Sequence, residues 1–594
     1  MLSLMTNKEV AQILRNIAAS YIIKDERKFR FQIMAYQRAA DTIEHQPSEI
    51  RELYEENKLD MVPGVGASIK SHLEELFKTG KVKHFEWVTK GVPKSLFPLL
   101  NIPTFGPKKA YRLVAEFGLK DPETVIVDVE KLATNGKIAA LPGFGEKSEK
   151  DIIRAISEFR QKKGKTQRMV LPYAFDLAEK VVDYIKQSEA VEEAYLLGSL
   201  RRMTATVGDI DIAVSTKNPI AVIKHFVAYP YQERVIDEGS TTASILVSSG
   251  RQVDLMTQPP ESFGSLLQHF TGSKNHNIHL RDLALKKGIS LSEYGIKKKV
   301  ESGKLKVESF DTEEKFYNAV GMDWIPPELR EDTGEIELAV QHKLPNLIVV
   351  SDIKGDLHTH SDYPIEPSHD LGHDSMENLL EKARKLNYEY LGFSEHNPSV
   401  SKHTENNVYS ILAKRKERID QIKSRTKGVR VINLLEVDIL ANGNLPLNNK
   451  ALSTLDGAIV SIHSSFSMDS KKMTKRIIKG LSNPKAKIFG HPTGRLLNQR
   501  PSIDFDYDEI LDFCKKYNIA LEINAWPSRL DLPDTMVKQA VQNGVKLIIN
   551  TDSHAVWQMN LMKFGIAVAR RGWATKDDIL NTMHYNEFIK WLKG

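Results

Sequence analysis

Beyond residue 350 the chain repeats one pattern: a short apolar run that ends in a histidine or an acid, then an amphipathic segment. "IKGDLHTHS" ends in His358 and His360, and "YLGFSEHN" in His396. "VINLLEVDIL" contains Glu436, "GAIVSIHSS" ends in His463, and "KIFGHPTG" in His491. "LEINAW" carries Glu522 and Asn524, and "LIINTDSHA" ends in Asp552 and His554. Such alternation predicts a parallel α/β fold or barrel over 346–594. In parallel α/β barrels the C-terminal strand ends form the active-site face. Six of the seven runs bring a good metal ligand there.

A single cysteine, Cys514, rules out an internal disulfide and a cysteine-based zinc site. The remaining His/Asp/Glu set suits Zn²⁺, Mn²⁺ or Fe²⁺, and its size predicts two or three ions. Clustered ions of this kind clamp a phosphate, so phosphoester hydrolysis is the expected chemistry.

A second centre is expected upstream. "VGDIDIAV" sets Asp209 and Asp211 in an apolar run, where an unpaired carboxylate is costly to bury. At i and i+2 on a strand, both point to one face. "RQVDLM" supplies Asp254 in another strand-like run. The preceding "YLLGSLRRMTAT" reads as a strand ending in a Gly-Ser turn (Gly198, Ser199), followed by Arg201 and Arg202, groups suited to phosphate. Three carboxylates sharing divalent cations beside a triphosphate cradle fit in-line nucleotidyl transfer.

The N-terminal region repeats a third element. "VPGVGASIKSHL", "IPTFGPKKAYRL" and "LPGFGEKSEKDI" each join an apolar-Pro start to a glycine turn and an amphipathic helix. The turn glycines are Gly64 and Gly66, Gly106, and Gly143 and Gly145; the middle copy has Thr104 in place of a glycine. Glycine lets a backbone approach closely, and a helix start offers free N–H groups to phosphate oxygens. These read as helix-hairpin-helix units, which hold a nucleic-acid backbone without reading its sequence.

The order of hairpins, "GSLRR…GDIDIAV", "VDLM" and "FTGSKNHNIHLRDLALKKGISLSEYGI" resembles the family X DNA polymerases, of the DNA polymerase beta type, over residues 1 to about 345. The resemblance implies a helical lyase-like domain with a hairpin (1–90), a hairpin-bearing DNA-binding subdomain (91–165), a nucleotidyltransferase palm (166–260) and a nucleotide-selecting thumb-type subdomain with linker (261–345). It implies that Asp209 and Asp211 bind both metals, and that Asp254 binds the catalytic one and helps activate the primer 3′-hydroxyl. Ser199 and Arg202 would hold the triphosphate, with Gly198, Arg168 and Gly208 beside them. Phe270 and Gly272 would line the nucleotide sugar, Asn277 would reach the base, and Arg281 the template strand. Two positions depart from the family. His269 stands where tyrosine is usual. His72 stands where the Schiff-base lysine of DNA polymerase beta would be, with Lys70 on another helix face, so weak or absent lyase activity is expected.

"DLHTHS", "SEHN", "GHP" and "TDSH" resemble the motifs of a PHP (polymerase and histidinol phosphatase) domain, a distorted seven-stranded barrel with a usually trinuclear site. Matching by motif gives His358, His360, His396, Glu436, His463, His491, Asp552 and His554 as ligands. One further ligand is expected in "SDYPIEPSHDLGH", either His369 or Asp370. Glu395 replaces the commoner aspartate of the second motif.

The fold class expected is therefore multidomain α/β: helical hairpin domains, a palm with thumb, and a distorted (β/α)7 barrel. The function expected is short gap filling in DNA repair, with Mg²⁺ or Mn²⁺ in the palm and a metal-dependent 3′→5′ exonuclease in the barrel. DNA and dNTPs are the expected partners. A nucleotidyltransferase fused to a small-molecule phosphatase of histidinol-phosphatase type is the alternative; the hairpins and "FTGSKNHN" weigh against it. A non-catalytic DNA-binding scaffold would need all three palm acids to be structural.

The formal charge of +6 is not concentrated in either half, so nucleic-acid contact must come from local patches. The basic run near 414–430 is read as a solvated helix face. No run approaches the ~18 apolar residues of a membrane span, and "MLSLMTNKEV" lacks the features of a leader. A cytoplasmic monomer is expected.

Overall fold

The computed structural model describes the chain apart from residues 1–4, 6, 45–49, 56, 63, 103–104, 163–167, 248–249 and 300–304. The chain forms two compact units, Met1–Gln167 and Arg168–Gly594.

The first unit is helical among the described residues. Each helix buries one stripe. In Ala67–Thr79 the buried set is Ile69, Leu73, Leu76 and Phe77, spaced for one helical face, and the helix stops at left-handed Gly80. Two apolar clusters result. One draws on Val10, Leu14, Tyr21, Tyr36 and Leu73 and ends at Val88; the other runs from Val92 through Leu113 and Val129 to Ile156.

The second unit begins with a five-stranded sheet in the order Glu193–Leu196, Ile210–Ser215, Arg251–Gln258, Thr242–Val247, Gln232–Glu238. Ile210–Ser215 and Arg251–Gln258 run parallel; the other pairs are antiparallel. The period-2 alternation of strands explains "DIDIAV". Ile210, Ile212 and Val214 join a core with the helices Leu171–Ile185 and Pro219–Val227. Ala213, on the face shared with Asp211, packs under the helix Phe263–Thr271 through Phe263, Leu266 and Leu267.

A thumb-like part follows. It has the helix Lys274–Lys286, a three-stranded antiparallel sheet and a core around Leu280, Phe316, Tyr317 and Ile336. It is tied to the sheet domain by a buried network: Arg201 and Arg330 both donate to Glu313, at 2.6 Å each in their shortest contacts. Arg201 is thus a structural residue, and Arg202 beside it faces elsewhere.

From Gly355 onward, parallel strands alternate with helices. Gly355–Thr359, Tyr390–Phe393 and Arg430–Asn433 form one sheet; Glu436–Asp438, Ala458–Ser461, Ala486–Phe489, Ala520–Asn524 and Leu547–Asn550 form another. Arg430–Asn433 and Glu436–Asp438 are one strand interrupted at Leu434 and Leu435, and bridges at Thr359–Ser553 and His396–Glu436 join the sheets. The barrel thus has seven staves, and its interior core includes Phe588 and Leu592 of the C-terminal helix Tyr585–Lys593. The basic run of 414–430 lies largely on the helix Glu405–Arg425, where Lys416 and Arg418 pair with Asp420 and Glu377 on the surface; Arg415 is the exception, fully buried against Glu395.

Candidate metal centres

Strand register brings two of the three palm carboxylates side by side. Asp211 and Asp254 are direct partners across the parallel pair. Asp209 differs from the sequence reading: the strand begins at Ile210, so Asp209 sits in the bend before it, exposed, rather than on the pleat. It is still near enough to act on Asp211. Burial, then the charges of Asp254 and Asp209, push the Asp211 carboxyl up from 3.8 to about 6. Asp254 accepts hydrogen bonds from Ser244 and from Gln252 Nε2 (2.9 Å), which orient it. An oxygen-only carboxylate set under mutual repulsion fits hard divalent cations.

Gly198, at φ +57, opens a single helical turn, Gly198–Arg201, where a loop turn was expected. A Cβ on Gly198 would stand 2.8 Å from Asp211 Oδ2, so the glycine is what lets the turn pass close to the Asp211 carboxylate. Arg202 donates through Nε to Glu331 Oε1 (3.0 Å) and through Nη1 to the Thr271 carbonyl (2.6 Å). Gly272 lies against it, since a Cβ there would meet Arg202 Nη1 at 3.1 Å. Arg168 is exposed and donates to Thr206, with Gly208 beside its guanidinium. Phe270 is 39% exposed. Asn277 is engaged by its own helix pair, donating to the His269 carbonyl (2.7 Å) and accepting from Gln268 (2.9 Å). Arg281 is exposed one turn further on.

In the first unit the three hairpins share one frame. Each has an i→i+3 turn (Val62–Val65, Ile102–Phe105, Leu141–Phe144), and the carbonyl of Gly66, Gly106 or Gly145 accepts the first bond of the following helix. Gly64 and Gly143 take positive φ. A Cβ on Gly66, Gly106 or Gly145 would meet nothing within 4 Å, so these turns are open to an approaching ligand. Thr104 lies outside the described residues. His72 is locked by Tyr36 (Oη to Nδ1, 2.8 Å) and stacked on His84, while Lys70 pairs with Asp60 at 3.6 Å.

The strand ends of the barrel converge on one dense cluster. Four overlapping sets each bring ligand atoms within 4.8 Å of one another: His360, His396, His554; His369, His396, His463; His358, His360, Glu436, Asp552; and Glu436, His463, His491. Asp370 Oδ1 lies 3.2 Å from His396 Nε2, and its Oδ2 3.8 Å from His554 Nε2. His369 and Asp370, the two alternatives in that loop, both lie beside His396: His369 in the group with His396 and His463, Asp370 between His396 and His554. The fit to metal rests on unsatisfied atoms. His358 Nε2, both ring nitrogens of His360, His396 Nδ1, Glu436 Oε2, His491 Nδ1 and His554 Nε2 are buried without a hydrogen bond among the described residues. Such orphans are rare in folded proteins unless something binds them. His491 and Asp552 also adopt left-handed φ (+26 and +56), a conformation that costs non-glycine residues on the order of 1 kcal/mol and clusters at functional sites.

Three supporting groups escaped the sequence reading. Glu522, noted on its run without a role, accepts from His358 Nδ1 at 2.7 Å. Asp438 accepts from His369 Nε2 (3.0 Å) and His463 Nδ1 (2.7 Å); its i+2 spacing from Glu436 was the available signal. Glu395 is buried with Arg415 and accepts from Ser361, bracing the loop after His360. Electrostatics follow the packing. Burial opposes charge on His396, yet Glu436 and Asp370 hold its pKa up near 10; burial and then Arg529 press His491 down to about 4. Arg529 lies 3.9 Å from Asp552, and its guanidinium makes no hydrogen bond among the described residues.

Hairpin helices, a carboxylate-bearing palm and a histidine-lined barrel together define a multidomain, metal-dependent enzyme that works on DNA. Family models described as helix-hairpin-helix domain, DNA polymerase beta thumb and PHP domain match residues 5–82, 266–331 and 356–525. A Bacillus subtilis (strain 168) protein named DNA polymerase/3′-5′ exonuclease PolX is 33% identical over 591 residues, 99% of this chain and 100% of that one. A probable phosphatase of Thermoanaerobacter sp. (strain X514) is 29% identical over 171 residues, 27% of this chain and 67% of its own length. DNA polymerase lambda of Rattus norvegicus is 23% identical over about half of each chain. The chain belongs to the PHP-bearing family X DNA polymerases. No described helix is long and apolar enough to cross a membrane.

Proposed function

We propose that this chain is a DNA-directed DNA polymerase that fills short gaps in repair, acts as a monomer, and carries a 3′→5′ exonuclease in its barrel. The observation that carries the reading is the separation of chemistries: an all-carboxylate centre on the Asp211–Asp254 strand pair and a histidine-rich centre on the barrel rim. The full-length likeness to a protein named as polymerase and 3′-5′ exonuclease supports it.

In the palm, Asp209, Asp211 and Asp254 would hold Mg²⁺ or Mn²⁺, which neutralises the triphosphate and acidifies the primer 3′-hydroxyl. Asp254, oriented by Ser244 and Gln252, faces that hydroxyl. Ser199, Arg202 and the amides of the Gly198 turn bind the triphosphate, with Arg168 and Gly208 at its edge. Phe270 and Gly272 flank the sugar, Asn277 reaches the base by releasing one of its two local bonds, and Arg281 meets the template. Gly64, Gly66, Gly106, Gly143 and Gly145 present helix N–H groups to DNA phosphates.

In the barrel, His358, His360, His369, Asp370, His396, Glu436, His463, His491, Asp552 and His554 would hold two or three Mn²⁺, Zn²⁺ or Fe ions, which supply the nucleophile and polarise the phosphodiester. Glu522 and Asp438 orient the rings that they bind. Arg529 is assigned to the scissile phosphate, because its guanidinium lies at the cluster, 3.9 Å from Asp552, with no hydrogen bond among the described residues.

The test is extension of a gapped, 5′-phosphorylated duplex by wild type, Asp254→Ala and His358→Ala. Asp254→Ala is expected to lose synthesis and keep 3′ degradation; His358→Ala is expected to do the reverse. Loss of both activities in either variant overturns the two-centre reading. Degradation without divalent metal overturns the barrel assignment. Hydrolysis of small phosphate esters with intact 3′ ends favours the phosphatase reading, which the Thermoanaerobacter likeness keeps in view.

A further inference from the structure

An arginine of the barrel, Arg571, reaches the palm backbone at Arg202. The helix Met562–Arg571 lies on the barrel wall: a Cβ on Gly565 would stand 2.5 Å from Ile549 Cγ2 and 3.1 Å from Ala525 Cβ. Its other side meets the polymerase part. Phe564 packs edge-on against Phe175, and Arg570 pairs with Glu328 at 2.7 Å. The last residue, Arg571, is 9% exposed as a side chain and is fully committed. Nε and Nη2 bind Asp534 of the barrel, both at 2.7 Å. Nη1 donates to the Arg202 carbonyl (2.8 Å) and to Glu331 Oε1 (3.0 Å).

Glu331 Oε1 is the same oxygen that accepts from Arg202 Nε at 3.0 Å. One carboxylate oxygen is therefore shared by two guanidinium groups, one from the palm and one from the barrel. Arg202 spends Nε on Glu331 and Nη1 on the Thr271 carbonyl, which leaves Nη2 without a hydrogen bond among the described residues. Without Arg571, Glu331 Oε1 would keep Arg202 as its one guanidinium partner among the described residues. The carboxylate could swing to take Nε and Nη2 together, the bidentate geometry that Arg–carboxylate pairs prefer. Both Nε and Nη2 of Arg202 would then be taken up by the carboxylate.

We propose that Arg571 is a positioning residue for nucleotide binding. By drawing Glu331 towards the barrel and pinning the Arg202 backbone, it keeps Arg202 Nη2 free for a triphosphate. The inference rests on the reading that Arg202 binds the triphosphate. It adds that the nuclease domain is part of the polymerase's nucleotide site.

The full-length protein tests this in steady-state gap filling. Arg571→Ala is expected to raise KM for dNTP about tenfold, a loss of ~1.4 kcal/mol in binding, with KM for gapped DNA and the rate of 3′ degradation unchanged. Arg571→Lys, which keeps the charge and one donor, should recover part of the effect. Glu331→Gln removes the competing charge, so Arg571→Ala in that background should have little further effect on KM for dNTP. An unchanged KM for dNTP in Arg571→Ala overturns the proposal. So does a parallel fall of both activities with thermal stability, which would make Arg571 a domain fastener only. Arg202→Ala separates the two levels: if it leaves KM for dNTP unchanged, the triphosphate reading itself fails, whatever Arg571 does.

Discussion

Asp211 and Asp254 face each other across a parallel strand pair, residue for residue, 43 positions apart in the chain. Their neighbours Ile212 and Leu255 point the other way, into the core. The pleat thus sends every apolar residue of "DIDIAV" inward or under a helix and leaves two acids on one open face. Their mutual repulsion has a measurable consequence.

Between pH 3.8 and about 6 the folded protein holds a proton on Asp211 that the unfolded chain has released, so this group's contribution to stability falls as pH rises through that window. Asp211→Asn removes the penalty. In metal-free buffer at pH 8 it should stabilise the second unit, by no more than about 3 kcal/mol, while abolishing synthesis. Calorimetry with chelator decides it, and a lower transition temperature than wild type would contradict the burial and repulsion argument.

Glu313 behaves oppositely. Burial works against its charge, but Arg330 and Arg201 outweigh it and hold the carboxyl down at about 2. Its contribution is present above pH 4.5 and is lost as pH falls through that value towards 2. Glu313→Gln leaves Arg330, fully buried, without its counter-charge, and should destabilise the second unit by about 3 kcal/mol at pH 7. Chemical denaturation at pH 7 and at pH 3 should show this loss shrinking in acid; an equal loss at both would remove the ion pair as its cause.

Asp438 holds His369 and His463 by their ring N–H groups. Asp438→Asn keeps the shape and removes the charge, and should weaken manganese retention in the barrel by roughly 10- to 100-fold. Gap filling should be unaffected. Metal content after dialysis, with polymerase rate alongside, is the measurement; full retention would make Asp438 a bystander.

The helical domain makes a negative prediction. His72 is held by Tyr36 and His84, and Lys70 is paired with Asp60 on the surface. Borohydride trapping on an incised abasic duplex should give little covalent adduct. A strong adduct lost in Lys70→Ala would show that the ion pair opens to free an amine.

The sequence alone determined the parts. Strand period fixed which residues of "DIDIAV" and "VDLM" face the core, and histidines ending successive apolar runs fixed a barrel with a rim dense in histidines and acids. Both follow from local rules, since side-chain direction in a strand depends only on position along it. What only the tertiary structure decided is what lies across the gaps. It took Asp209 off the strand, because the ladder starts at Ile210. It brought both His369 and Asp370 to His396, a matter of how one loop folds over the rim. It buried Arg201 against Glu313 while sending Arg202, its sequence neighbour, towards Glu331. It also brought Arg571 to Arg202 from 369 residues away. Such pairings depend on the packing of elements far apart in the chain, and no local periodicity encodes them.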